Sequence, residues 1–162
     1  PFTPFQWAPM NRKEEFLEKA AIVKAEVRSM LNQKSIRYNY HEADLSILEG
    51  VLARGDRRTA KVVLEAYRNG AIFDSWSEYF RPEAWEKAFR DTGIDKDFYT
   101  VRERSVDELL PWDFINAGVT KKFLIREWEQ AKAETVTPNC RQRCSGCGAK
   151  CYGGGVCFEG EN

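Results

Sequence analysis

Apolar side chains recur along this chain at the spacing of helices far more often than at the alternation of strands. Phe16, Ala20, Val23, Val27 and Met30 fall at steps of three and four. That spacing lays them on one face of an amphipathic helix running to about Asn32, with Asn11 and Glu14 placed as a capping box at its start. Leu45, Leu48 and Leu52 repeat in the same way from Asp44 to Arg54. Gly55 can cap the end of that helix and Asp56 the start of the next. The next helix is expected to turn Ala60, Val63, Leu64 and Tyr67 inward and to stop at Asn69-Gly70. Pro82 suits the first turn of a helix with Trp85, Ala88 and Phe89 inside, ending at Thr92-Gly93. Thr120 can cap a final helix in which Phe123, Leu124, Trp128 and Ala131 share a face and which Thr137-Pro138 closes.

Three stretches are less plain. Ser35 to His41 alternates apolar and polar residues and carries β-formers, which predicts a short strand. Phe73 to Phe80 is dense in aromatic residues and is expected to form a short helix. Residues 94–119 are less regular, with Pro111 opposing a helix through that point. The fold class expected is therefore mainly α, with one or two short strands and a cysteine-rich, metal-binding tail. Its divisions are an entry segment at 1–10, a helical domain at 11–137 and the tail at 138–162.

Composition narrows the function. The 162 residues hold 25 Lys and Arg against 25 Asp and Glu, a formal net charge of zero. Without a positive surplus, a general attraction to nucleic acid or acidic membrane is disfavoured. No run approaches the roughly 18 apolar residues of a membrane helix, so a soluble chain without a membrane partner is expected. The first ten residues lack an initiator methionine and hold three prolines and three large aromatics. This pattern leads to the expectation of an extended segment, cut from a longer protein, whose rings pack on a neighbour.

All five cysteines, Cys140, Cys144, Cys147, Cys151 and Cys157, lie within the last 23 residues. An odd count cannot close wholly into disulfides, and no secretory signal precedes the cluster. Thiols so placed read as metal ligands in a reducing, cytoplasmic setting. Gaps of three, two, three and five residues with glycines between them let a short backbone turn around an ion. Thiolates suit tetrahedral zinc or an iron–sulfur cluster. The first three cysteines also reproduce the Cys-x3-Cys-x2-Cys spacing of radical S-adenosylmethionine enzymes. In those enzymes the triad follows the first strand of a β/α barrel. Here it follows the helices, so a structural or auxiliary site is the better reading.

Other polar groups carry less. His41 is the only histidine, which leaves a Ser/His/Asp or Cys/His arrangement with a single candidate base and no nucleophile motif beside it. It reads as structural, and no catalytic residue is assigned. Arg54-Gly55-Asp56-Arg57-Arg58 is better explained by capping and ion pairing than by phosphate binding. Arg102, Glu103, Arg104, Asp107, Glu108 and Asp113 gather around Leu109, Leu110 and Trp112, and are expected to form a buried ion-pair network.

Several ordered blocks together resemble one family. They are Pro1-Phe2-Thr3-Pro4-Phe5-Gln6-Trp7, Leu48 to Arg58, Phe73 to Glu78, Arg102 to Ser105 running on to Leu110-Pro111-Trp112-Asp113, Gly118-Val119-Thr120, and Thr137-Pro138-Asn139-Cys140. This order resembles the C-terminal third of radical S-adenosylmethionine proteins that carry a cobalamin-binding domain, and the resemblance covers the whole chain. It implies an upstream barrel of the same polypeptide as partner, holding S-adenosylmethionine and a [4Fe-4S] cluster, with cobalamin as a further cofactor. Residues 1–10 would run out of the barrel's last strand, and this chain would be an accessory region without catalytic residues of its own. The family's tail pattern of three cysteines and a Gly-Gly-Gly-Val-Cys turn makes Cys157 the implied fourth ligand beside Cys140, Cys144 and Cys147. Cys151 is the alternative, its spacing also being feasible for a tetrahedral site. The runner-up reading is a stand-alone helical module with a structural zinc site that binds protein or RNA.

Overall fold

The computed structural model describes residues 1–153, and these residues are mainly helical. The chain divides into two compact units, one of Pro9–Arg102 and one of Pro1–Ala8 together with the residues from Glu103 on. The helical stretch expected at 11–137 thus contributes to both. No strand occurs among the described residues, and none of their helices is long and apolar enough to cross a membrane.

The first unit contains α1 (Lys13–Ser29), α2 (Ala43–Arg54), α3 (Thr59–Arg68), α4 (Pro82–Thr92) and the single turn α5 (Lys96–Tyr99). α1 opens one residue later than the expected box. The Arg12 backbone N–H donates to Glu15 Oε2 at 2.7 Å, so Arg12 and Glu15 take the places foreseen for Asn11 and Glu14. Of its predicted face only Ala20 is buried, Phe16 and Val27 are half-covered, and Val23 and Met30 stand exposed.

The core of this unit lies between α3 and α4, which pack on each other. Here the expected face of α3 is reversed. Val62 and Ala66 are buried, while Ala60, Val63, Leu64 and Tyr67 face outward. The apolar residues of α3 form a broad arc opposite Lys61, Glu65 and Arg68, and close approach to α4 selects the Val62–Ala66 edge of that arc, which meets Ala84 and Ala88 in one cluster. In α2 the same competition buries Leu48 and Val51 and leaves Leu52 out.

The ends of these helices follow the residues that punctuate the sequence. Pro82 occupies the first position of α4, and Trp85, Ala88 and Phe89 face inward. Gly93 closes α4 in the left-handed region at φ 64°, with the Ile94 N–H donating to Phe89 O at 3.2 Å. After α3, Gly70 takes φ 92° and the Ala71 N–H donates to Ala66 O at 3.0 Å.

Two expectations fail. The strand expected at 35–41 does not form: Ser35 ends a 3-10 turn (Gln33–Ser35), and the residues after it make no ladder, because no second strand exists among the described residues to pair with them. The alternation is real all the same: Tyr38 and Tyr40 stack at 5.5 Å, and Tyr40 lies under Lys24 of α1, whose Nζ donates to its hydroxyl at 2.8 Å. Residues 73–80 form consecutive turns instead of a helix, with Phe73 at φ 64° and Asp74 Oδ2 accepting from Trp85 Nε1 at 3.0 Å.

Asp56 makes the junction of α2 and α3. Its carboxylate accepts from the Arg58 backbone N–H at 2.8 Å, from the Arg58 guanidinium, and from the Tyr99 hydroxyl at 3.3 Å. Hydrogen bonds from the Arg58 side chain, foremost, hold this carboxyl below the usual carboxylate range. A depressed folded pKa contributes stability above the ordinary carboxylate value and loses it as pH falls through the folded one. Asp56→Asn keeps an acceptor for the Arg58 N–H and removes only the charge. The native chain is therefore expected to lose more melting temperature than this variant between about pH 5 and about pH 2. Parallel curves for the two proteins would contradict the assignment. The difference stays small, since Arg58 stands largely in solvent.

The second unit is built on α6 (Lys121–Lys132) and a 3-10 turn at Pro4–Trp7 that packs on it. The N-terminal segment is thus neither extended nor dependent on a neighbour for its largest ring. Trp7 is wholly buried among Leu110, Trp112, Leu124 and Trp128. Gln6 is buried beside it and its Oε1 accepts from the Phe2 N–H at 3.1 Å and Trp112 Nε1 at 2.8 Å. The Arg104 N–H donates to Trp7 O at 2.9 Å, which ties the segment to the chain that re-enters after residue 102.

Of the expected charge network, Arg104 is buried with its guanidinium 6.0 Å from the Trp112 ring, Asp113 pairs with Lys121 at 3.1 Å, and Glu103 meets Lys132 at the surface. Glu103 and Asp107 stand in water, where an ion pair contributes little.

Candidate metal centre

α6 supplies the anchor for the cysteine segment. Thr120 caps it as expected, its Oγ1 accepting from the Phe123 N–H at 3.2 Å. Phe123, Leu124, Trp128 and Ala131 all face the covered side, although the helix ends at Lys132, short of Thr137-Pro138. The Thr120 N–H donates in turn to Cys147 O at 2.9 Å, which seats the cysteine loop on the start of the helix.

Glycines at 118 and 148 make that seat. Both lie at positive φ, 78° and 106°. A Cβ at Gly148 would stand 2.8 Å from both Gly118 O and Thr120 Cγ2, and one at Gly118 would stand 2.1 Å from the Tyr152 ring. The Tyr152 hydroxyl donates to Asn116 O at 3.4 Å and closes the other side. Gly148→Ala combines left-handed backbone strain with a backbone clash. It is expected to cost about 1–3 kcal/mol locally and to detach residues 147–152, read as fast exchange of the Thr120 amide hydrogen. Unchanged protection of that amide would contradict the seat.

The thiols themselves sit on a backbone shaped around sulfur. The Gly146 N–H donates to Cys144 Sγ at 3.4 Å and the Ala149 N–H to Cys147 Sγ at 3.5 Å. Each cysteine thus receives a bond from the amide two residues on, made accessible by Gly146 at φ 67° and Gly148 at φ 106°. Amide bonds to sulfur of this kind orient a cysteine that ligates a metal. Asn139 organises the preceding turn. Its carbonyl accepts from the Gln142 and Arg143 N–H groups and its side chain from the Arg141 N–H at 3.0 Å.

Cys140, Cys144 and Cys151 are exposed and Cys147 is half-covered, and all four are free thiols. Among the described residues no three Cys, His, Asp or Glu side chains converge as a metal would need. Cys157 lies outside the described residues. The donor chemistry and the amides around Cys144 and Cys147 fit a soft metal ion, while the described thiols do not by themselves enclose one.

Elsewhere, His41 is exposed on the approach to α2, its Nδ1 2.9 Å from Ser46 Oγ and 3.7 Å from Glu49. In the Arg54–Arg58 segment, Arg58 is spent on Asp56, and Arg54 reaches back to Thr100 O at 3.4 Å. Cysteine spacing pointed to the loop, but the seat on Thr120, Gly118 and Tyr152 joins residues over 25 positions apart and left only one trace, the repeated glycines. Comparison of the chain with protein-family models, with curated proteins and with solved structures gives no match.

Proposed function

We propose that this chain is the C-terminal accessory region of a radical S-adenosylmethionine protein, and that its tail holds a metal ion or an auxiliary iron–sulfur cluster on cysteine thiolates. Cys140, Cys144 and Cys147 are the ligands of this reading, with Cys157 as the fourth and Cys151 as its alternative. The observation that carries it is the pair of amide-to-sulfur bonds at Cys144 and Cys147 on a loop fixed to α6. These two bonds, each local to its own turn, hold both thiols in place on a loop that is itself fixed to α6. The bound metal would clip the tail to the helix, or, as a cluster, supply an electron-transfer or substrate-binding centre next to it.

In this reading S-adenosylmethionine, its own [4Fe-4S] cluster and any cobalamin belong to the upstream barrel, and the present chain contributes no catalytic residue. Exposed apolar side chains such as Leu109 and Phe114, at 87% and 85%, supply surface for such packing. Iron, acid-labile sulfide and zinc analysis of the chain purified without oxygen tests the proposal. Iron with sulfide in cluster stoichiometry favours the accessory region of a redox protein. Zinc alone favours the stand-alone module with a structural clip, and a chain that retains neither contradicts the metal reading.

A further inference from the structure

A cavity of about 440 Å³ opens beside Cys144, walled by Arg126 and Gln130 of α6, by Thr135–Pro138, and by Arg143, Cys144 and Ser145. Its two guanidinium groups are not equivalent. Arg126 is committed: it donates to Ser145 O, pairs with Glu127 and lies 4.9 Å from the Phe123 ring. Arg143 has its backbone N–H fixed by Asn139 O, while its guanidinium has no hydrogen-bond or ion-pair partner among the described residues. Residues 135–153 carry Arg141, Arg143 and Lys150 and not one Asp or Glu, and Glu127 of α6, which accepts from Thr137 in the wall, is paired with Arg126, so Arg143 adds a positive charge at this mouth that Glu127 does not pair with.

A second cavity shows the contrast. It measures about 240 Å³ and lies in the Pro9–Arg102 unit. Its rim is made of closed ion pairs, Arg12 with Asp97, Lys13 with Asp44 and Lys96 with Glu86. Charge that is already matched offers an ionic ligand nothing to neutralise. Beside Cys144 the compensation is missing at Arg143, and Ser145 supplies a hydroxyl next to it, while Thr135 and Thr137 already donate to Ala133 O and to Glu127 and Gln130.

We infer that this cavity binds the phosphate or carboxylate group of a small-molecule ligand, with Arg143 as the cation that grips it. Guanidinium meets either oxyanion through paired N–H bonds, so the shared chemistry is a planar fork on two oxygens. The ligand's remaining atoms would then lie against Cys144. That neighbourhood to a metal rests on the thiolate reading above, whereas the oxyanion grip does not.

The test is titration of the reduced full chain with sodium phosphate and, separately, with sodium acetate at constant ionic strength. It is run metal-free and zinc-loaded, with the arginine Nε–H resonances followed by NMR. Saturable shifts at Arg143 with one anion or both are expected, and which anion binds tighter identifies the ligand class. Arg143→Gln is expected to weaken binding at least tenfold, and Arg141→Gln, which removes the same charge outside the cavity, to leave it within twofold. No saturable shift in a chain that retains its helical spectrum, or equal weakening by both variants, would overturn the inference. Failure to take up zinc with anion binding intact would count against the metal reading and leave the oxyanion site standing.

Discussion

Replacing Cys144 with serine is expected to strip the tail of its metal. A serine hydroxyl stays protonated near neutral pH and is a hard oxygen donor, whereas zinc and iron–sulfur centres in such loops are held by thiolate. The substitution also removes the sulfur that accepts the Gly146 amide. Cys140→Ser and Cys147→Ser should act alike, each taking metal content from about one site per chain to near none, because a structural site missing one of four ligands loses much of the roughly 10–16 kcal/mol that closes it. Cys151→Ser is expected to retain its metal and Cys157→Ser to lose it. Loss in the Cys151 variant with retention in the Cys157 variant would exchange the two assignments. Retention by Cys144→Ser would contradict the ligand set.

The second large effect lies in the core of the unit that carries the tail. Trp7→Ala is expected to cost about 3–5 kcal/mol, the range for emptying a buried aromatic site. Trp7 is fully buried, and its neighbours Leu110, Trp112, Leu124 and Trp128 come from elements that cannot all collapse into the space. The loss is a large part of the total of about 5–15 kcal/mol typical of a domain. Trp7→Phe should cost far less. The indole N–H of Trp7 is buried with no partner among the described residues, and burial of such a group costs about 1–3 kcal/mol, which phenylalanine removes while still filling most of the site. Urea denaturation followed by far-ultraviolet circular dichroism, with amide exchange in α6, measures both. Equal destabilisation by alanine and phenylalanine would mean that the indole N–H is satisfied and that Trp7 is held by more than packing.

Helix ends were legible where a residue has one mechanical use. Pro82, Gly93, Thr120 and Asn69-Gly70 each did what their covalent structure prescribes. Faces were legible where the predicted positions are the ones the partner covers, as in α4 and α6. In α3 the apolar arc is broader than the partner helix can cover, and α4 took its Val62–Ala66 edge, a choice no single-helix pattern contains. The strand at 35–41 failed because alternation describes one strand and a sheet takes two. Trp7 was misplaced for a related reason: its partners are Leu110 and Trp112, more than a hundred residues away. At the cysteine loop, spacing pointed to the thiols proposed as donors, and the glycines marked the turns. The seat on Thr120 depends on a long-range contact and became visible only in the fold.

Most directly, X-ray absorption at the metal edge on the metal-loaded full chain tests whether this tail is a thiolate metal centre. The account predicts a first shell of sulfur alone, at about 2.3 Å and close to four scatterers, for zinc, with an added iron–iron distance if the metal is a cluster. A first shell made mainly of nitrogen or oxygen would contradict it.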